Sequence, residues 1–207
     1  DMTAAAMWTA KATRGIPEQM TSLFATSYGI FKDQYAIMSD ADFGNMFGAA
    51  LSASVQQFKT DGAAMQMAIE SAGAGAVNLG MKMTEQLALL GMMQQTMQAG
   101  EAGTALRAFA TNAAKAHEGF ADLAAESGNP IRVRILDENG GLRAMPDILG
   151  DLQVRYGETL DAFEAAEIKA AFGTDEAMKM INALYGQEAA VRANADALDD
   201  AAGQRVV

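Results

Sequence analysis

Residues 130–173 read PIRVRILDENGGLRAMPDILGDLQVRYGETLDAFEAAEIKAAFG. Ile131, Val133 and Ile135 alternate with Arg132 and Arg134, the two-residue period of a half-buried strand. Asp137-Glu138-Asn139-Gly140-Gly141 then supplies a turn, and Asn-Gly is the strongest short hairpin signal. The period changes after it. Met145, Ile148, Leu149, Leu152, Tyr156 and Leu160 fall at helical spacing, with Pro146 where a first helical turn tolerates it. A second helical run closes on Ala171-Phe172-Gly173. The stretch therefore predicts a small β-hairpin over residues 131–144, set among helices.

Outward from it, nearly everything reads as helix. Upstream, Leu106, Phe109, Ala110, Ala113, His117, Phe120 and Ala124 form one stripe at spacings of three and four, predicting a single long helix over 102–126. Met81 to Gln98 reads as a Met-rich helix, with Leu87, Leu90, Met93 and Met97 inward and a break at Ala99-Gly100-Glu101. Ser39 is an N-cap with acidic first-turn residues, opening a helix that buries Phe43, Phe47, Ala50, Leu51, Ser54 and Phe58. Pro17 starts a helix striped by Met20, Leu23, Phe24, Ser27, Phe31 and Tyr35. Downstream, Thr174 is an N-cap, and Met178, Ile181, Leu184 and Tyr185 make the next stripe. The Ala-rich acidic tail from Gln187 reads as one more helix, suited to a neighbour outside this chain, and residues 196–207 as a helix cut short.

The expected fold class is all-α: an elongated multi-helix bundle with one small β-hairpin near 131–144. Two parts are expected, an N-terminal helical segment over 1–78 and a helical core with the hairpin over 79–207. Half of the 207 residues are apolar, but aromatics are few and Ala, Gly and Met abundant. Small side chains let helices approach closely but give shallow contacts, hence the expectation of thin, extended packing. Phe109, Phe120, Ile135, Leu149, Leu152 and Phe172 are the expected core anchors.

A net charge of −11 without a basic cluster argues against nucleic acid as a partner. With no cysteine there is no disulfide and no thiolate site. No apolar run reaches the roughly 18–20 residues that span a bilayer, so no membrane is expected for this segment. Asp1-Met2-Thr3 has neither a leader nor an initiating methionine, and the chain reads as a piece of a longer polypeptide. Gly73-Ala74-Gly75 lacks the third glycine of a dinucleotide fingerprint and reads as a helix joint. Asp137-Glu138-Asn139 lacks the glycine and the terminal acid of a calcium loop. His117, the one histidine, has no second ligand for zinc and no thiol partner, and reads as a core-margin side chain bonded to backbone or water. The acidic pairs Asp199-Asp200 and Glu164-Glu167 read as solvated surface. Met92, Met93 and Met97 read as packing. No catalytic, cofactor or metal residue emerges, and the chain is expected not to be an enzyme.

Some pieces occur in a recognisable order. Leu90-Gly91 is followed by Gly103-Thr104-Ala105-Leu106-Arg107, then the extended Ile131–Leu136, then Asp137-x-x-Gly140, Asp147-Ile148-Leu149, and Phe172-Gly173. Over Leu87 to Leu184 this resembles the core segment of phage tail tape measure proteins. Met7 to Tyr35 does not match that family's pattern closely. The resemblance implies a virion structural protein, from a phage, prophage or tail-like particle, that lies in the tail and templates tube length and assembly. It implies tail tube subunits, tail assembly chaperones and tail-tip hub proteins as partners, with self-association in the assembled tail. It implies assembly in the bacterial host cytoplasm. The alternative is a helical protein-binding or membrane-active module, for which the small-residue face of Ala72 to Gly80 would serve helix association in lipid.

Overall fold

The computed structural model describes residues 2–203. Twelve helices follow one another among them: α1 (Met2–Thr13), α2 (Pro17–Phe31), α3 (Asp40–Phe58), α4 (Gly62–Ala72), α5 (Gly75–Asn78), α6 (Met83–Met93), α7 (Ala99–Thr111), α8 (Ala113–Glu126), α9 (Met145–Tyr156), α10 (Ala162–Phe172), α11 (Asp175–Leu184) and α12 (Glu188–Gly203). A 3-10 turn, Lys32–Tyr35, extends α2. Polar caps start four of the helices, two of them, Ser39 and Thr174, as the sequence indicated. Ser39 Oγ accepts the Asp42 amide, Asp61 caps α4, Thr174 caps α11, and Asp161 with Glu164 forms a reciprocal capping box on α10.

Two kinds of packing hold these helices together. Between α2 and α3 the contact is aromatic: Phe24 meets Phe47 edge-on at 5.0 Å and Tyr28 meets Phe43 at 5.2 Å, while Phe43 and Phe47 stack at 6.0 Å along α3 itself. A second aromatic knot joins α7, α8 and α10, where Phe172 lies 4.9 Å from Phe109 and 6.1 Å from Phe120. Between them, α4 lies along α7 and the two backbones come together at Gly103. A Cβ built on Gly103 would run into the Ala68 carbonyl oxygen, so only glycine permits this approach. Gly91 on α6 plays the same part for the Phe58 ring. All six expected anchors, Phe109, Phe120, Ile135, Leu149, Leu152 and Phe172, are fully buried. The segments before and after residue 78 contribute to the same contiguous core.

Four expectations change. The packing is not thin: one contiguous core of fully buried side chains runs through the helices. Alanine-rich helices can still close a thick core when enough of them cross at glycines. The predicted helix over 102–126 is two helices. Asn112 stands at the junction, its side-chain and backbone amides both donating to the Ala108 carbonyl, at 2.8 and 3.1 Å. The Met-rich helix stops at Met93, and the expected break at Ala99-Gly100-Glu101 is instead the first turn of α7. The tail helix needs no outside neighbour for its apolar face. Val191 and Leu198 of α12 are fully buried, and α12 packs on α6, α3 and α9. The end of the tail, 204–207, lies outside the described residues.

The largest correction concerns the β-hairpin near 131–144. No sheet forms among the described residues. A single antiparallel bridge pairs Leu136 with Leu142, carried by Asp137 N–H donating to the Gly141 carbonyl and Arg143 N–H donating to the Ile135 carbonyl. The alternation is real, since Val133 and Ile135 are fully buried while Arg132 and Arg134 are exposed. The returning arm, however, has only Gly141 to Arg143 before α9 begins, too few residues for a ladder.

Candidate functional site

The extended segment 129–144 satisfies its backbone with side chains in place of a second strand. Asn129 Oδ1 accepts the Ile131 amide at 3.0 Å, and Arg155 Nη1 donates to the Ile131 carbonyl at 2.7 Å. Arg143 Nη1 reaches the Arg134 carbonyl at 2.7 Å and the Asp151 carboxylate at 2.5 Å, while Asp151 also accepts the Arg134 amide at 3.2 Å. At the turn, Asp137 Oδ1 accepts both the Asn139 and Gly141 amides, and Gly140 takes the positive φ of 79° that the bend requires. Beyond it, Leu142 N–H donates to the Leu79 carbonyl at 2.6 Å, and Met145 N–H to the Glu85 carboxylate at 2.6 Å. Buried backbone groups must find partners, and here arginines and carboxylates, chiefly from α6 and α9, provide them. Burial pushes the Glu85 carboxyl up, opposed by that same Met145 amide.

His117 stands behind this segment on α8. Its Nδ1 accepts the Leu136 amide at 3.1 Å, and its Nε2 lies 2.8 Å from the Arg132 guanidinium. Burial, then the positive charge of Arg132, lowers the imidazole pKa below its ordinary value. The neutral ring thus holds the strand-like arm against α8, the backbone-bonded place at the core margin that its position on the stripe indicated. His117, Arg132, Arg134 and Arg143 line an open hollow with Asp137 and Glu138. No group of three or more metal-ligating side chains gathers among the described residues.

Elsewhere the polar side chains are chiefly structural. Asp199 pairs with Lys82 at 3.5 Å and accepts the Thr84 hydroxyl, so it bridges α12 to α6 and is not simply solvated. Glu164 serves its capping box, and Glu167 accepts the Tyr156 hydroxyl at 3.1 Å. Met93 is fully buried, with Met92 and Met97 packed at the core edge. No described helix is long and apolar enough to cross a membrane.

The surface carries more signal than any pocket chemistry. Trp8, the one tryptophan, is 69% exposed on α1, and Met7 and Ile16 are exposed near it in sequence. Lys11, Arg14 and Lys59 border the same end of the molecule. Phe163, at the first turn of α10, is 84% exposed. Sequence periodicity missed both aromatics, because a stripe shows which face is buried and not which outward residue is left uncovered.

The family model described as phage-related minor tail protein matches residues 1–173. The chain belongs to that family. The match includes the helices around Met7 to Tyr35, the part that resembles tape measure cores least. Neither the curated proteins nor the solved structures compared with this tail protein include a match. Phage tail structure is therefore its setting, and α11 and α12 lie beyond the matched region.

Proposed function

We propose that this chain is a folded segment of a tail tape measure protein. It performs no catalysis; it holds a shape that docks on tail tube subunits, assembly chaperones and the tail-tip hub. The observation that carries this reading is where the motif residues sit. Gly103 lets the α4 backbone reach α7 at Ala68 and Ala72, and Gly91 leaves room for the Phe58 ring. Asp137 and Gly140 build the turn of the extended segment, Asp147 opens α9 and pairs with Arg192, and Phe172-Gly173 joins the second aromatic knot to a left-handed cap. These pieces of the resemblance fall on positions where geometry restricts the residue type. That supports a common architecture with tape measure cores over an accidental likeness.

The single contiguous core bears on how such a segment would work. As one continuous helix its residues would extend about 1.5 Å each, but here they fold back on one another. The segment would then contribute a folded unit to tail assembly, with length ruled by rod-like parts of a parent chain. In-frame removal of the segment from the parent gene tests this by electron microscopy and mass spectrometry of purified tails. The expected result is loss of tails or loss of their uniform length. Tails of normal length and composition assembled without the segment would sink the proposal.

A further inference from the structure

Two exposed patches on this molecule are complementary, one a basic hollow and the other an acidic ridge. The first lies at the α1 end. Trp8, Lys11 and Ala12 border one shallow hollow with Ser52, and Arg14, Ile16 and Lys59 border an adjoining one, about 750 Å³ in volume. Lys11, Arg14 and Lys59 form no ion pair among the described residues, although the chain as a whole carries a charge of −11. Arg14 and Lys59 are also the two non-glycine residues with positive φ there, at 55° and 53°. Each follows a helix end where glycine is the unstrained choice. Strained positions that keep a cation in place of glycine point to a use for the charge, beyond its favourable place at a helix C-terminus. The one acid in the hollow, Asp61, is occupied capping α4.

The second patch is at the start of α10. Phe163 stands out from the surface, and Glu158, Asp161, Glu164 and Glu167 flank it in sequence. Asp161 and Glu164 hold each other in the capping box and Glu167 is fixed by Tyr156, so the negative charges are anchored around an exposed ring. The patches are on separate parts of the fold: α1 packs chiefly on α3 and α2, whereas α10 packs on α8 and α11.

We infer that copies of this chain associate head to tail, the Phe163 ridge of one copy seating on the Trp8–Lys11–Arg14–Lys59 face of the next. A contact between two different patches does not close on itself as a two-fold dimer does, and it extends into a row or ring. Opposite charges steer the encounter, and the two aromatics supply the buried anchors. This inference uses the tail reading for its setting only. It is tested with the isolated chain, so it can fail while the tape measure proposal stands, and the reverse.

The experiment is sedimentation velocity over a concentration series at low and high salt, with Trp8 emission followed in the same samples. Mass is expected to rise with concentration at low salt, accompanied by a blue shift of Trp8. The triple reversal Lys11→Glu, Arg14→Glu, Lys59→Glu should weaken association by about tenfold or more. Phe163→Ser, a change on the opposite patch at an exposed site, should weaken it too. Adding Glu158→Lys and Glu167→Lys to the triple reversal should restore it, and circular dichroism checks that each variant is folded. A chain that stays monomeric with Trp8 in water at every concentration overturns the inference, as does association unaffected by the reversal. So does a blue shift that appears only with phosphatidylserine vesicles, or only with poly-glutamate, since the face would then serve a membrane or a foreign acidic chain.

Discussion

The α2–α3 region and the α4–α7 seam bury helix faces by opposite means. In the first, Phe24, Phe31, Phe43 and Phe47 fill the space between helices with rings. In the second, Gly103 and Ala68 remove side chains so that backbone meets backbone. Rings contribute area removed from water, and are forgiving of small shifts in helix position. A glycine seam contributes close dispersion contact and forgives nothing, because the obstacle is a carbonyl that cannot rotate away. The chain uses the first at its aromatic-rich start and the second where Gly103 faces Ala68 and Ala72.

The contrast is tested first by deletion of volume. Phe47→Ala removes a fully buried ring that touches three others and should cost about 3–5 kcal/mol, read as a lowered denaturation midpoint. A loss below about 1 kcal/mol would mean that the rings are not what holds this end. At the seam the informative change is addition. Gly103→Val drives a branched side chain into the Ala68 carbonyl and should cost about 1–3 kcal/mol or more. Indifference to it would show that the helices can separate, and that the two regions do not differ as described.

The remaining predictions sharpen the boundary between packed and open positions. His117 has a lowered pKa in the fold, so the unfolded chain binds the extra proton more readily. Stability from this group is complete above the unfolded value of about 6.5 and is lost as pH falls from there toward the lower folded value. Chemical denaturation across that window should show the slope, and His117→Asn, whose Oδ1 can accept the Leu136 amide, should remove it. The smallest effect is expected at glycines that meet nothing. Gly29 and Gly150 lie inside helices, and a methyl group placed on either would meet nothing within 4 Å beyond its own helix backbone and chain neighbours. Ala at either should stabilise by about 0.5–1 kcal/mol in thermal unfolding, the opposite sign to Gly103.

Some helix starts were legible because a cap is a local event. Ser39 and Thr174 each accept an amide two or three residues ahead, whatever the rest of the chain does; the same local bonds at Asp61 and Asp161 were not singled out from the sequence. Core anchors such as Phe109 and Leu152 were legible for a related reason: periodicity states which face must leave water. The exposed aromatics were not, since Trp8 and Phe163 are conspicuous only once their neighbours are placed. The alternation in 131–135 is a true pattern of burial but not half of a hairpin, because alternation is indifferent to what the backbone bonds with.

The amino-acid sequence by itself determined that this is a helical, cysteine-free, acidic chain, where most helices begin, and which residues would be interior. Only the tertiary structure decided that the extended segment pairs with Arg143, Arg155, Asp151 and His117 in place of a strand, and that Gly91 and Gly103 draw the helices into one contiguous core. The reason is one of range. Caps and stripes are set by residues within a turn or two of each other, whereas backbone partners and points of closest approach come from helices far apart in sequence.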